Sequence, residues 1–256
     1  MLLDFVSYLI LCPLIFLSGL LDSIAGGGGV ISIPAYMLAG LSPHHAIGTN
    51  KVSVAIGCSA SIVRYASNKM INYKIAVIGA LCSVAGSVIG ARLVLLVSDQ
   101  ILNYMMIIIL PAVAVFTLTN KKLTNENTAY TQNIPSSKLI SVYVAIFLLG
   151  IYSGFYGPGH GTFVLLALVQ IGGMPASAAA ATARFINLGG VLGALTVFLI
   201  NGQSQIITGL IAGAFCLLGN YIGSGLVVKN GAKIVRPIII TVLALLFVKI
   251  IWELIS

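Results

Sequence analysis

Two basic residues, Lys51 and Arg184, stand deep inside apolar sequence, each beyond a glycine-rich break. Lys51 follows Pro43 by eight residues, which places it roughly 12 Å along a helix that starts there. Arg184 follows Pro175 by nine and reaches a similar depth, near the midplane of a hydrocarbon core roughly 30 Å thick. A basic side chain there costs about 2.5–3.5 kcal/mol, so both must face the protein interior. The chemistry open to them is to hold a small anion. Thr49, Asn50, Thr182 and Asn187 lie within a turn of the two bases and offer neutral hydrogen bonds. The breaks themselves, Gly26-Gly27-Gly28-Gly29 and Gly157-Pro158-Gly159-His160-Gly161, add free backbone N–H groups and the positive end of a helix dipole. The competing reading is that either base snorkels or pairs with Asp22, the only acid deep in an apolar run. Asp22 reads as counter-ion to Lys51 or as a proton carrier for coupling. His160 stands where Gly27 stands in the first break; it reads as a ligand for anion or proton, or as a packed, hydrogen-bonded histidine.

The two stretches register without a gap. Gly159 follows Gly26 by 133 residues, and Gly161 follows Gly28, Thr182 follows Thr49 and Arg184 follows Lys51 by the same 133. That offset also pairs Gly57 with Gly190, Asn68 with Asn201, Gly86 with Gly219 and Gly90 with Gly223. Glycine matches alone arise readily in a chain with 28 glycines. A Thr-x-basic match and an Asn match in one register do not, so the sequence reads as an internal duplication. Each glycine costs a helix interior about 1 kcal/mol relative to alanine. Backbone freed from its helix is tolerated at membrane depth only where protein buries it or it lines a wet cavity. Paired interruptions in two hydrophobic halves point to a transporter's binding site.

The surrounding elements must supply that setting. With 59% hydrophobic and 7% charged residues among 256, the chain is no ordinary soluble domain. Several apolar runs approach or exceed the roughly 20 residues a helix needs to span a bilayer. The net charge of +8 is scattered at loop ends, as for topology control, and no nucleic acid is expected as a partner. The start lacks a basic n-region and a small-residue cleavage site, so the first helix is expected to be retained. Cys12, Cys58, Cys82 and Cys216 lie in apolar runs without CxxC spacing and read as small buried hydrophobes. No metal-ligand cluster and no cofactor motif is present, and His44 and His45 fall at the expected membrane boundary, where a solvated role is expected.

In order, Phe5 to about Ile24 reads as the first span, and Val30–Leu41 as a half-helix too short to cross. Ser42-Pro43 is a strong helix start, opening a helix to about Ala66. Ile75–Val97 and Ile101–Thr119 follow as spans, then the polar linker Asn120–Ser137. Lys138–Tyr156, a half-helix at Thr162–Gly172, a helix from Pro175 to Ile200, Ile206–Val228 and Pro237–Leu254 make the second half. The expected fold is an all-α polytopic membrane protein of about eight transmembrane helices plus two glycine-broken half-helices. Its units are a first repeat at 1–119, a linker at 120–137 and a second repeat at 138–256. Loops near 67–74, 120–138 and 229–236 are basic, whereas 98–100 and 201–205 are not. All three basic loops share one side only if each half has five segments and the halves are inverted, so the charges favour inversion.

With the duplicated GGGG-to-GTN pattern in view, the chain resembles the sulfite exporter TauE/SafE family. The likeness spans nearly the whole chain and rests on Gly26 to Pro34, Gly48-Thr49-Asn50, and Gly157, Gly159 and Gly161 with Ala181-Thr182. It implies a multi-pass cell-membrane carrier of small sulfur-containing anions, such as sulfite or sulfoacetate, driven by the proton gradient. It also implies seven or eight spans from duplicated four-span halves, which differs from the inverted five-segment reading. Ala183 stands where Asn50 stands in the first copy, so the two half-sites need not bind equally.

The expected partners are therefore the lipid bilayer, a small anion and coupling protons. A channel using the same basic site, or a carrier of a non-sulfur solute, is the competing reading. No GxSG motif and no second intramembrane aspartate supports a membrane protease, and no Walker motif supports ATP hydrolysis. The chain is not expected to be an enzyme.

Overall fold

The computed structural model describes residues 3–102, 104–105 and 136–230. Most of the expected span Ile101–Thr119, all of Pro237–Leu254 and most of the linker 120–137 lie outside the described residues. Those residues form eight complete helices: α1 (Phe5–Ala25), α2 (Gly29–Leu38), α3 (Pro43–Ser67), α4 (Tyr73–Val94), α5 (Ser136–Phe155), α6 (His160–Gln170), α7 (Ala176–Ile200) and α8 (Ile206–Asn230). Six of them are long and apolar enough to cross a membrane, and α2 and α6 are short apolar helices. The half-helices are thus where the glycine breaks put them, although each starts one to two residues earlier than expected. Helix α5 begins at Ser136, two residues before the expected Lys138.

Local chemistry sets these boundaries. Pro43 occupies the first turn of α3 behind an extended Ser42, where its missing N–H costs nothing. Asn72 caps α4 by accepting from the Ile75 N–H at 3.3 Å. Gly26 ends α1 at φ +77°, and Gly159 starts α6 at φ +76°. Both hold the left-handed conformation that an L side chain resists, and they are one of the matched pairs at the 133-residue offset.

Helices α3 and α7 form the centre. Their apolar windows are 67% and 61% buried, against 28–44% for α1, α4, α5 and α8. The outer four carry exposed Phe5, Leu9, Leu81, Ile140, Leu148 and Leu210, the surface a bilayer would cover. Packing is reciprocal: α1 lies against α8 and α4 against α5, while α3 lies against α8 and α4 against α7. The repeated glycines make these approaches close. A Cβ on Gly223 would lie 2.5 Å from the Leu20 carbonyl oxygen, and one on Gly90 would lie 2.7 Å from the Phe155 nitrogen. Gly90→Leu is therefore expected to cost about 1–3 kcal/mol through overpacking of α4 on α5, read as a lower unfolding midpoint in detergent.

The register of these contacts gives helix direction. Tyr8 meets Thr208 at the start of α1 and α8, and Ser23 lies against Gly223 further along both. Thr49 meets Gln205 and Arg64 meets Tyr221, so α3 also runs parallel to α8. By the same test α4 runs parallel to α5, with Gly86 by Ile151 and Gly90 by Phe155, and to α7, with Gly79 by Ile186 and Gly193 by Ser87. The turns 68–72 and 201–205 reverse the chain. Five residues reach at most about 18 Å, too little to recross a core of roughly 30 Å. Consequently α1, α3 and α8 run one way, and α4, α5 and α7 the other.

His44 is not left to solvent as expected. Its Nδ1 lies 2.5 Å from Asp99 Oδ1 and its Nε2 3.0 Å from the Val94 carbonyl, tying the first turn of α3 to the end of α4.

Candidate functional site

The two glycine breaks meet. A Cβ on Gly161 would lie 2.7 Å from Gly26 Cα, and one on Gly29 would lie 3.1 Å from Pro158 Cα. Only glycine lets the two backbones approach so closely. Beside them is a cavity of about 30 Å³ lined by Asp22, Gly26, Gly29, Asn50, Lys51, Val54, Ser153, Gly157, Gly161, Asn187 and Val191. It draws on both breaks, on both central helices and on α1 and α5.

Lys51 reaches this cavity from α3. Its Nζ donates to the Ser153 carbonyl at 2.7 Å, and the side chain is 4% exposed. Among the described residues no carboxylate lies within ion-pair distance of it. Gly157, at φ +99°, leaves it room: a Cβ there would stand 3.0 Å from Nζ. The neighbouring Asn50 lines the same space, and its buried Oδ1 has no hydrogen-bond partner among the described residues.

Arg184, the counterpart of Lys51, is occupied differently. Its Nη2 donates to Asp22 Oδ2 at 2.7 Å, to Cys58 Sγ at 3.0 Å and to Asn220 Oδ1 at 3.1 Å. The other Asp22 oxygen accepts the Gly28 N–H at 3.3 Å, at the start of α2. The expectation that Asp22 would neutralise Lys51 is thus redirected: the carboxylate pairs with Arg184. The geometric reason is reciprocal packing, in which Arg184 points across to α1 and Lys51 to α5. Helix α1 presents Asp22 to Arg184, and α5 presents the Ser153 backbone carbonyl to Lys51.

The remaining expected residues divide between lining and support. His160 sits at the first position of α6 with Nδ1 2.8 Å from Asn187 Oδ1, and its buried Nε2 has no partner among the described residues. Thr49 and Thr182 do not line the cavity. Thr49 Oγ1 accepts the Gln205 N–H at 3.0 Å, and Thr182 Oγ1 accepts the Asn72 N–H at 3.1 Å. Donors and acceptors are both matched at the 133-residue offset: Thr49 holds the start of α8 and Thr182 the start of α4. Gly27, Gly28 and Gly159 shape the breaks without lining the cavity.

Ser153, Cys58 and Asn220 take part without having been expected. Ser153 acts through its carbonyl, which carries no sequence signal. Asn220, a polar residue inside an apolar run, could have been found on that ground. Cys58 is buried, but it is a sulfur acceptor for a guanidinium rather than a passive hydrophobe.

A small, partly polar cavity thus lies between the two helix breaks, among helices long and apolar enough to cross a membrane. Residues 11–250 match the family described as sulfite exporter TauE/SafE. The chain belongs to that family. It is 34% identical over 227 residues to a probable membrane transporter protein, ORF9, of a Sinorhizobium species, covering 89% of this chain and 85% of that protein. It is 32% identical over 251 residues to the probable membrane transporter protein YfcA of Escherichia coli K12, covering 97% and 92%. A probable membrane transporter protein of Haemophilus influenzae is 29% identical over 238 residues. No solved structure matches the chain. This TauE/SafE family member is a multi-pass membrane transporter protein, and these relatives are each described as a probable membrane transporter protein.

Proposed function

We propose that the protein is a secondary-active, proton-coupled carrier of a small sulfur oxyanion or organosulfonate, bound in the central cavity by Lys51. One observation carries this reading: a buried ammonium with no carboxylate partner among the described residues, aimed into a polar cavity between two helix breaks. An unpaired buried charge is costly, and an arriving anion relieves it. The Asn50 and Asn187 side chains line the same cavity and provide polar neighbours, and the sulfur class comes from the family's description. At about 30 Å³ the cavity has room for a water or two, so a polyatomic anion enters only when the breaks separate. That closed geometry supports a carrier over a channel.

The alternation is proposed to come from two inverted, duplicated halves. Supporting this, α3 and α7 begin and end at the 133-residue offset, from Pro43 and Ala176 to Ser67 and Ile200. Matched helices run in opposite directions, and Thr49 and Thr182 make matched bonds. Epitope tags inserted at Lys69 and at Gly202 are expected to report opposite sides of the membrane, with Lys69 cytoplasmic. Tags on one side would exclude inversion.

The carrier reading is tested on purified protein by titration with sulfite, thiosulfate, sulfoacetate, taurine, phosphate and small carboxylates. Saturable binding of the sulfur anions above the carboxylates is expected, with uptake into vesicles driven by an imposed proton gradient. Downhill flux indifferent to that gradient would favour the channel. Preference for carboxylates would move the substrate out of the sulfur class.

A further inference from the structure

Proton coupling needs a group that gains and loses a proton while the empty site turns from one side to the other. Asp22 is the acid at the site, but both its oxygens are engaged, Oδ2 by Arg184 and Oδ1 by the Gly28 N–H. Arg184 itself does not release a proton. Lys51 differs from both. Among the described residues its one hydrogen bond is to a neutral carbonyl, that of Ser153, and it is buried against a cavity of about 30 Å³. A buried unit charge in that position is relieved in two ways, by an anion arriving or by the proton leaving.

We propose that Lys51 carries the coupling proton, neutral while the empty site reorients and an ammonium while the anion is bound. This rests on the anion-carrier reading given above. The balance closes. The empty Lys51 amine takes one proton from the side it faces, a monoanion settles against the ammonium, and both leave on the other side. The site's charge is the same loaded and empty, so neither form drags an unpaired charge through the hydrocarbon. The Arg184–Asp22 pair stays ionised throughout and cancels itself. The other titratable groups facing Lys51 are Cys58 on its own helix and His160 on α6. The His160 ring is held by Asn187. The walls from α2 and α5 contribute Gly29, Ser153 and Gly157, none of which titrates.

The test uses the full chain in detergent, titrated calorimetrically with ethanesulfonate, whose single charge is constant with pH, in two buffers of different ionisation enthalpy. One proton is expected to be taken up per anion. Affinity is expected to tighten by about tenfold for each pH unit lowered where the empty site is neutral. Lys51→Arg keeps a permanent charge, and Lys51→Gln has none. Both are expected to bind without proton uptake and with pH-independent affinity, which separates a proton carrier from a merely structural lysine. In vesicles, Lys51→Arg should exchange anion for anion but fail to accumulate it against a gradient. His160→Gln is expected to take up the proton still. Wild-type binding without proton uptake, or uptake persisting in Lys51→Arg or Lys51→Gln, overturns the proposal. If the wild type binds none of the tested anions, the carrier reading itself falls, a result distinct from an anion that binds without its proton.

Discussion

Asp22→Asn is expected to cost the folded protein about 3–5 kcal/mol, the penalty for stripping one partner from a buried ion pair. The Arg184 guanidinium cannot lose its charge, and its Nε and Nη1 already lack partners among the described residues. It would be left with an amide, a sulfur and the Asn220 oxygen in place of a carboxylate. Arg184→Ala should cost a similar amount by orphaning Asp22. The double change Asp22→Leu with Arg184→Met should recover most of the loss, because no charge then remains buried. Unfolding midpoints of the four proteins in detergent decide the matter. A double variant as unstable as either single would show that the pair does not act as a unit.

Lys51→Met should do the opposite. It removes a buried ionisable amine that has no carboxylate partner among the described residues, so stability is expected to hold or rise. Substrate binding should weaken by about 10- to 150-fold, corresponding to a charge-assisted hydrogen bond of about 1.5–3 kcal/mol. Lys51→Arg should retain part of the binding, since charge survives while geometry changes. Affinity and unfolding midpoint measured together separate the two bases: Arg184 loses stability first, Lys51 loses binding first. Equal loss of affinity in both, with stability intact, would return Arg184 to the binding site.

How much of this was legible in the sequence follows from which interactions are local. Apolar run length determined the membrane class and the six described spans. The cost of glycine in a helix and the Pro43 start determined where α2, α3 and α6 begin, within a residue or two. The 133-residue register named the central residues, because a base at the midplane of an apolar helix must face inward whatever its partner.

Tertiary structure decided which groups those residues meet. Thr49 and Thr182 look like ligands in sequence, yet their hydroxyls hold the turns at Gln205 and Asn72, 156 and 110 residues away. Lys51 and Arg184 look equivalent, yet Asp22 goes to Arg184 across 162 residues of chain. Lys51 is left with the Ser153 carbonyl, a partner that every residue type offers and no sequence marks. The physical reason is that helix formation is read from neighbours along the chain. The pairing of buried charges depends instead on which helix faces which, and here that is set by the close glycine contacts of α1 on α8 and α4 on α5.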